Sequence, residues 1–468
     1  MILNTFNLSE KNWAKIFLKR ILIIGILLVF LIPPIQAPDE NSHFLNAYSL
    51  THGNFYPEYQ NNSKLGRYFP ENIITYIENW NANDEAVTIE SFINNSISSI
   101  VNDKIDFLSY WLSDTNLIGY LFPSLGMFLY SSIYLLLGLK VNIYGLLISG
   151  RICNLLLYSL SIYYAIKIAP RFKRCLLALA LMPMSILQAA TLSYDVILIS
   201  SCFLLFAITV KGLYEEEALS PKIIVILCFI SIVLFNIKTV YAPLLGMLAF
   251  IPPKRFGGTK KYLITGMLII LCGVFTLGLH QLLLSINTQG FQNPYSALYD
   301  LQIHHLLRNP FLLIYYIFNS LKIYFSFYYS GFIGLIGKLF FKFPLWLYLF
   351  YGLFLLILFY VDSHEIKILK KQSRICLIAV LGVITYGIFG GIYITWTAIQ
   401  QGIGVNWVDG VQGRYFIPIA IYLPLALSNS RWLQIDKLMS HMDQIVYYTV
   451  SLIPIFTLCF SAVKFWTL

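Results

Sequence analysis

The stretch YLITGMLIILCGVFTLGLHQLLLSI, residues 262–286, contains no Asp, Glu, Lys or Arg. About 20 consecutive apolar residues in a helix are enough to cross the hydrocarbon core of a membrane. Similar runs recur along the 468-residue chain, which is 58% hydrophobic and 12% charged, whereas soluble domains carry about 25% charged residues. Because backbone polar groups in lipid must be paired internally and period-two alternation is weak, these runs predict transmembrane helices and no β-barrel.

The runs predict an all-α, polytopic transmembrane bundle of about 11 to 13 helices, forming one integral membrane domain over residues 1–468. Several runs are too short to span a membrane untilted, so some pairs should form hairpins or broken helices. At least one of the runs 119–139 and 311–330 is expected to be a juxtamembrane or re-entrant helix, because strict alternation cannot place every basic cluster on one side.

The net charge of +10 comes from short basic clusters between apolar runs. This pattern follows the positive-inside rule, so it predicts that the clusters and the N-terminus are cytoplasmic, and it gives no reason to expect nucleic-acid binding. The clusters are Lys11/Lys15/Lys19/Arg20, Arg171/Lys173/Arg174, Lys254/Arg255/Lys260/Lys261 and Lys367/Lys370/Lys371/Arg374.

Residues 36–117 form one sizeable polar region, with eleven of the 22 acidic residues but only three basic ones. A loop so poor in Lys and Arg is expected outside the cell. Its Tyr- and Phe-rich ends, including Trp111, predict short helices lying on the membrane interface, and its Asn/Ser-rich middle, 81–103, predicts loose structure. Smaller outer loops are predicted at 287–310 and 398–414.

The motif PPIQAPDENSH, residues 33–43, follows the first apolar run and places two adjacent carboxylates and a histidine at a membrane border. Ionisable groups there are costly to desolvate and suggest function. If a helix begins at Pro38, Asp39 and Glu40 lie in its first turn and His43 shares a face with Asp39. The residues can be a base with an orienting partner, a cation site, or only a helix N-cap.

Four more ionisable residues interrupt apolar runs. Asp195 divides a long apolar stretch, as a hairpin cap or as a ligand to a polar group. Lys238 either snorkels towards water or contacts a phosphate, which suits its compact ammonium. Arg414 opens a span from the outer side and could bind phosphate bidentately. Arg151 lies inside the run 143–166 and requires an anionic partner.

The motif at 33–44, with AYSL at 47–50 and Gly53, resembles the opening signature of a bacterial membrane-protein family known as domain of unknown function 2142. Three further pieces match in order: LMPM, QAA and SYD at 181–184, 188–190 and 193–195; Lys238 with Tyr241 and Pro243; and GVQGRYFIP at 410–418. The resemblance covers nearly the whole chain. One departure is Asn46, since the family usually has an Arg a few residues after the histidine.

That family in turn resembles the GT-C superfamily of polytopic glycosyltransferases, which take a sugar from a polyprenyl-phosphate donor. The resemblance implies a bacterial cytoplasmic-membrane enzyme acting at the outer face on a cell-envelope glycan or polymer. It implies that Asp39 is the general base, with Glu40 and His43 beside it. The local sequence itself does not show whether Asp39 or Glu40 is the base. Substrate-binding residues are expected among Arg151, Tyr194, Asp195, Lys238, Tyr241, Gln412, Arg414 and Tyr415.

The expected reaction is a single displacement with inversion, in which the cations stabilise the departing lipid phosphate. A divalent metal is left open, since the outer-loop carboxylates suit Mg²⁺ or Mn²⁺. The alternatives are a transporter or flippase of lipid-linked glycans, which uses the same cations without chemistry, and a polymerase of lipid-linked glycans. Transporters often carry inverted repeats, and this sequence shows no internal repeat.

Overall fold

The computed structural model describes residues 12–60, 64–81, 88–97, 99–110, 112–364, 369–427 and 436–466. It is an all-α polytopic bundle, as the sequence predicts, with two small antiparallel sheets in its described part. Seven described helices are long and apolar enough to cross a membrane, or eight if the pair Ser296–Arg308 and Leu312–Ile333, bent by 106°, counts as one span. The predicted number of 11 to 13 helices is larger than this count of spans because the prediction also included shorter apolar runs.

The helices of the first half are α1 (Trp13–Leu31), α2 (Glu40–Thr51), α3 (Glu71–Asn81), α4 (Ile89–Phe92), α5 (Leu121–Leu136), α6 (Ile143–Ile168), α7 (Lys173–Ala180), α8 (Pro183–Ala189), α9 (Asp195–Tyr214) and α10 (Pro221–Ile237). Those of the second half are α11 (Thr259–Asn287), α12 (Ser296–Arg308), α13 (Leu312–Ile333), α14 (Leu345–His364), α15 (Lys371–Ile392), α16 (Ala398–Gln401), α17 (Ile417–Ala420), α18 (Leu423–Leu427) and α19 (Asp436–Phe465). Short 3₁₀ helices span Leu117–Tyr120, Thr239–Phe250, Pro253–Phe256 and Gly413–Phe416, and π-helical turns span Ile93–Ile97 and Tyr393–Thr397.

Two predicted apolar runs form broken helices. The run 175–191 is divided between α7 and α8, where Pro183 begins the second helix and its ring prevents a continuous one. The run 222–252 is divided at Lys238, whose extended backbone separates α10 from the 3₁₀ helix Thr239–Phe250. Both breaks bring backbone and polar side chains into an otherwise apolar bundle.

The helices α1 and α19 run side by side in the same direction. Towards the middle of both helices Arg20 Nε donates to Ser451 Oγ at 3.1 Å, and at their C-terminal ends Trp466 Nε1 donates to the Leu31 carbonyl at 2.7 Å. Helix α9 is central, with most of its residues buried, whereas α11 is peripheral and its apolar side chains are largely exposed, as a lipid-facing helix requires.

The first polar region contains a small sheet that the sequence reading missed. Strands β1 (Glu58–Gln60), β2 (Lys64–Pro70) and β3 (Ile105–Ser109) pair antiparallel in the order β1-β2-β3, where interfacial helices had been predicted. Along β2, Arg67 and Phe69 are buried and Tyr68 is exposed, so the aromatic residues follow the period of a strand. Trp111 lies outside the described residues.

Helix α5, from the run 119–139, borders the first polar region at both ends. Near its start, Thr51 Oγ1 donates to the Ser124 carbonyl at 3.2 Å. Near its end, Leu135 and Leu139 line a cavity shared with His52. The other ambiguous run, 311–330, forms α13, which is one arm of the bent pair with α12.

Candidate active site

Four charged side chains that are far apart in sequence meet where the first helix ends. Arg414 Nη2 lies 2.9 Å from Asp39 Oδ2, and Arg414 Nε lies 3.8 Å from Asp195 Oδ2. The ammonium of Lys238 lies 2.8 Å from the other oxygen, Oδ1, of Asp195. We call Asp39, Asp195, Lys238 and Arg414 the four-charge cluster. The structure thus brings together four residues that the sequence singled out separately.

Each of the four residues lies at a helix end or break. Asp39 precedes α2 in the left-handed backbone conformation, with φ of 58°, an unusual geometry for a residue with a side chain. Asp195 is the first residue of α9, and Lys238 lies at the break after α10. Arg414 lies in a 3₁₀ turn whose Gly413 must be glycine, since a Cβ there would come within 1.9 Å of the Tyr328 carbonyl oxygen.

The two carboxylates of the cluster differ in exposure. Asp195 is buried and accepts from Lys238, with Gln188 Nε2 also donating to it at 3.3 Å. Arg414 is buried as well, whereas 45% of the Asp39 side chain is exposed. Buried charges are tolerated when they are paired, and here two cations balance two anions. Asp39 is therefore the anion of the cluster that an incoming molecule can reach.

Aromatic rings surround the cations. The Lys238 ammonium lies 4.2 Å from the ring centroid of Tyr415 and 5.1 Å from that of Tyr194, which are cation–π distances. Tyr241 donates its hydroxyl to the Tyr415 carbonyl at 2.6 Å, so it ties the segment carrying Arg414 to the helix that follows Lys238. The Oε1 atom of Gln412 is buried and has no hydrogen-bond partner within the described part of the chain.

His43 is buried beside the cluster in α2. Its Nδ1 lies 2.9 Å from the Tyr120 hydroxyl, and its ring meets Tyr194 edge-on at 4.9 Å. Burial lowers the pKa of His43 to about 4, although Asp39 and Asp195 act in the opposite direction. The imidazole is therefore neutral near pH 7, and its hydrogen bond joins it to Tyr120 and not to the Asp39 carboxylate.

Glu40 points away from its neighbour Asp39 into a separate, closed pair with Arg151. Both side chains are fully buried, and Arg151 Nη2 lies 2.7 Å from Glu40 Oε2. All five N–H donors of Arg151 are engaged, by the two Glu40 oxygens and by the carbonyls at the end of α1, which are those of Val29, Ile32 and Pro33. Arg151 therefore has no donor left for a substrate phosphate in this structure.

The Glu40–Arg151 pair also reaches the chain before Asp195. Glu40 Oε1 accepts from the backbone N–H of Leu192 at 3.0 Å. One carboxylate thus joins the end of α1, the start of α2, the middle of α6 and the turn that leads into α9. The anionic partner that the sequence required for Arg151 is Glu40, and the pair fixes the backbone on both sides of the four-charge cluster.

A family model described as predicted membrane protein (DUF2142) matches residues 22–423. The chain belongs to this family. The matched range includes the whole four-charge cluster and the Glu40–Arg151 pair. No curated protein and no solved structure matches the chain.

Asn46, which departs from the arginine that the resemblance led us to expect, is contacted by an arginine from another part of the chain. Arg67 Nη1 on β2 donates to Asn46 Oδ1 at 2.8 Å, and the Tyr110 hydroxyl donates to the same oxygen at 2.7 Å. Arg67 is fully buried. Sequence reasoning missed this contact because it depends on the unpredicted strand β2. The one available signal was that Arg67 is among only three basic residues in an acidic region.

An apolar groove of about 690 Å³ lies beside the cluster, between the 3₁₀ helix Thr239–Phe250 and α11. It begins at Thr239, next to Lys238, and extends to Phe256 and Tyr262 towards the other end of these helices. Exposed side chains on its rim, such as Met267, open it sideways from the bundle. Within the described residues, no three His, Cys, Asp or Glu side chains come together as a metal site.

Proposed function

We propose that this DUF2142 protein transfers a sugar from a polyprenyl-phosphate donor to a cell-envelope glycan or polymer. The observation that carries the proposal is the four-charge cluster, in which the accessible Asp39 carboxylate contacts the buried Arg414, with the partly buried Lys238 paired to Asp195 beside an apolar groove. A lipid-linked phosphate requires these parts: cations for the phosphate, an apolar surface for the tail, and a base for the acceptor. The sequence resemblance of this family to GT-C glycosyltransferases, which use such donors, supports the same reaction.

The donor phosphate would be held by Lys238 and Arg414, and the polyprenyl tail would lie in the apolar groove that begins at Thr239. In the structure both cations are paired with carboxylates of the cluster. A phosphate binding to Arg414 would compete with Asp39 for the guanidinium. Donor binding would therefore release the Asp39 carboxylate and make it a better base.

In the proposed reaction Asp39 takes the proton from an acceptor hydroxyl while that oxygen attacks the anomeric carbon of the donor. The new bond joins the acceptor oxygen to this carbon, and the bond from the carbon to the phosphate oxygen breaks. Polyprenyl phosphate leaves with the electron pair, and the configuration at the anomeric carbon is inverted. Lys238 and Arg414 stabilise the negative charge on the departing phosphate.

The remaining predicted site residues have supporting roles in this proposal. Glu40 and Arg151 position the backbone around Asp39 and Asp195, and His43 orients the acceptor side of the site through its contacts with Tyr120 and Tyr194. The other aromatic and amide residues, Tyr241, Gln412 and Tyr415, shape the phosphate side.

The proposed site faces the outside of the cytoplasmic membrane, with the N-terminus in the cytoplasm. The positive-inside pattern supports this orientation, since α1 carries Lys15, Lys19 and Arg20 at its start and leads at its end into the acidic region 36–117.

The direct test is transfer from a radiolabelled polyprenyl-phosphate sugar in membranes carrying wild type or Asp39→Asn. We expect Asp39→Asn to lower the rate by about 100-fold or more, as the loss of a general base does. Asp103→Asn, which removes an exposed carboxylate of the same acidic region, is the matched control and should retain wild-type activity. Undiminished transfer by Asp39→Asn would rule out this assignment.

A flippase of lipid-linked glycans is the second candidate, because broken helices at a charged site are typical of transporters. The break at Lys238 is such a feature. A flippase would move a fluorescent polyprenyl-phosphate sugar across proteoliposomes without transferring the sugar, and Asp39→Asn would leave that movement unchanged.

A further inference from the structure

A second cavity lies in the first polar region, between α3 and residues 94–95 and 99–102. Its volume is about 430 Å³, within the range of small-molecule sites, about 300–1,000 Å³. Its lining is rich in side-chain amides and hydroxyls and contains two aromatic residues. The lining includes Asn72, Thr75, Asn79, Asn95, Ser99 and Asn102, together with Tyr76 and Trp80. We call it the amide cavity.

The chemistry of the amide cavity suits a neutral ligand rich in hydroxyl groups. Each Asn amide both donates and accepts, so a row of them can match the alternating donors and acceptors of sugar hydroxyls. The one carboxylate of the lining, Glu71, is paired with Lys104 at 2.9 Å, so the lining offers no free charge of either sign for a phosphate or an amine. Trp80 and Tyr76 add aromatic surface, on which the apolar face of a sugar ring can pack.

Hydrogen bonds from Asn72 hold the two walls of the cavity together. Asn72 bridges its two walls, since its side-chain amide donates to the Ile100 carbonyl and its Oδ1 accepts from the Asn102 backbone N–H at 3.2 Å. Asn72 is therefore structural, whereas Asn79 and Asn95 have exposed side chains on opposite walls and are available to a ligand.

The cavity is also joined to the candidate active site. Gln36, three residues before Asp39, donates its side-chain amide to the Trp80 carbonyl at 3.1 Å. The end of α3, which forms one wall of the cavity, is thus held against the turn that carries Asp39.

We propose that the amide cavity binds a neutral oligosaccharide segment, the acceptor glycan. Its ability to bind sugar stands independently, and its role as acceptor site rests on the proposed function. An acceptor held there would be bound next to the end of α3, which Gln36 connects to the turn that carries Asp39.

The test is titration of the full-length protein in lipid nanodiscs with maltotetraose, cellotetraose and chitotetraose, followed by calorimetry. We expect at least one of these sugars to bind wild type, and the double variant Asn79→Ala/Asn95→Ala to bind it about tenfold more weakly, because two hydrogen bonds are lost. The matched control is Asn81→Ala, an exposed amide on the same helix that does not line the cavity, and it should bind like wild type.

Asp39→Asn, which should be inactive in transfer, should bind the same sugar as tightly as wild type. Binding without any transfer activity would support the cavity and refute the proposed function, whereas transfer activity without sugar binding would do the reverse. Failure of all three sugars to bind, or equal binding by the double variant, would overturn the inference.

Discussion

Asp39 and Glu40 are adjacent carboxylates with opposite surroundings. The Asp39 side chain is 45% exposed and contacts one arm of Arg414, whereas Glu40 is fully buried and both of its oxygens accept hydrogen bonds from Arg151. A carboxylate whose every partner is supplied by the protein has little capacity to exchange them. Asp39 is exposed and lies next to a cation that a ligand could also bind. It is therefore the carboxylate suited to act as a base.

The largest expected effect is on the stability of the protein and comes from breaking the Glu40–Arg151 pair. Glu40→Gln leaves Arg151 buried without a counter-charge, so we expect a loss of about 3–5 kcal/mol in the free energy of unfolding. Thermal unfolding in detergent would measure it. The double variant Glu40→Leu/Arg151→Met removes both charges and should recover part of the loss, because the Leu192 N–H and the carbonyls at the end of α1 still lose their partners. A single variant as stable as wild type would contradict the structural role of Glu40.

Substitutions in the four-charge cluster should change the affinity for the substrate. Arg414→Gln removes a charge-assisted contact worth about 1.5–3 kcal/mol, so KM for a polyprenyl-phosphate sugar should rise roughly 10- to 100-fold. Arg308→Gln, at an exposed arginine of α12, is the control and should leave KM unchanged. Equal KM values for the two variants would count against the phosphate role of Arg414.

The apolar groove can be tested by filling it. Gly246 and Gly266 line the groove, and a Cβ at either meets nothing within 4 Å, so leucine can be accommodated. Gly246→Leu/Gly266→Leu should displace a few methylene contacts of the tail at about 0.8 kcal/mol each and raise donor KM about tenfold. Gly278→Leu, another unobstructed glycine of α11 outside the groove, should have no effect. An unchanged KM in the double variant would place the tail elsewhere.

The smallest effect concerns His43. Burial lowers the pKa of His43 from the ordinary 6.5 to about 4. As the pH falls from 6.5 towards 4, this histidine is therefore protonated in the unfolded chain but stays neutral in the folded protein. Stability therefore decreases with falling pH, by about 1 kcal/mol between pH 6.5 and 5.5 from this group. His43→Gln should remove that part of the slope in urea unfolding, whereas exposed His304→Gln should keep it. Identical slopes in all three proteins would contradict a neutral, buried His43.

The bundle and the members of the cluster could be predicted from sequence for one physical reason. Charges and helix breaks are costly in apolar runs, so Asp195, Lys238 and Arg414 stand out against their surroundings. Their meeting point could not be derived, since it depends on contacts between residues 43 to 375 positions apart. The sheet was missed because strand and interfacial-helix signals are both carried by aromatic residues in a short segment.

The separation of Asp39 from Glu40 was also beyond the sequence. The two residues share the same helix start and the same motif, and the left-handed backbone at Asp39 is a feature that the sequence does not indicate. The partner of each acid, Arg414 or Arg151, lies more than a hundred residues away. A single sequence offers no way to choose which arginine pairs with which carboxylate.

The measurement that tests the central claim most directly compares Asp39→Asn and Glu40→Gln in the same preparations, by transfer rate per folded molecule and by unfolding midpoint. We predict that Asp39→Asn loses transfer by about 100-fold or more with a nearly unchanged midpoint, and that Glu40→Gln unfolds far earlier but transfers at a near-normal rate when folded. The reverse result, with Glu40→Gln stable and inactive and Asp39→Asn active, would contradict the assignment.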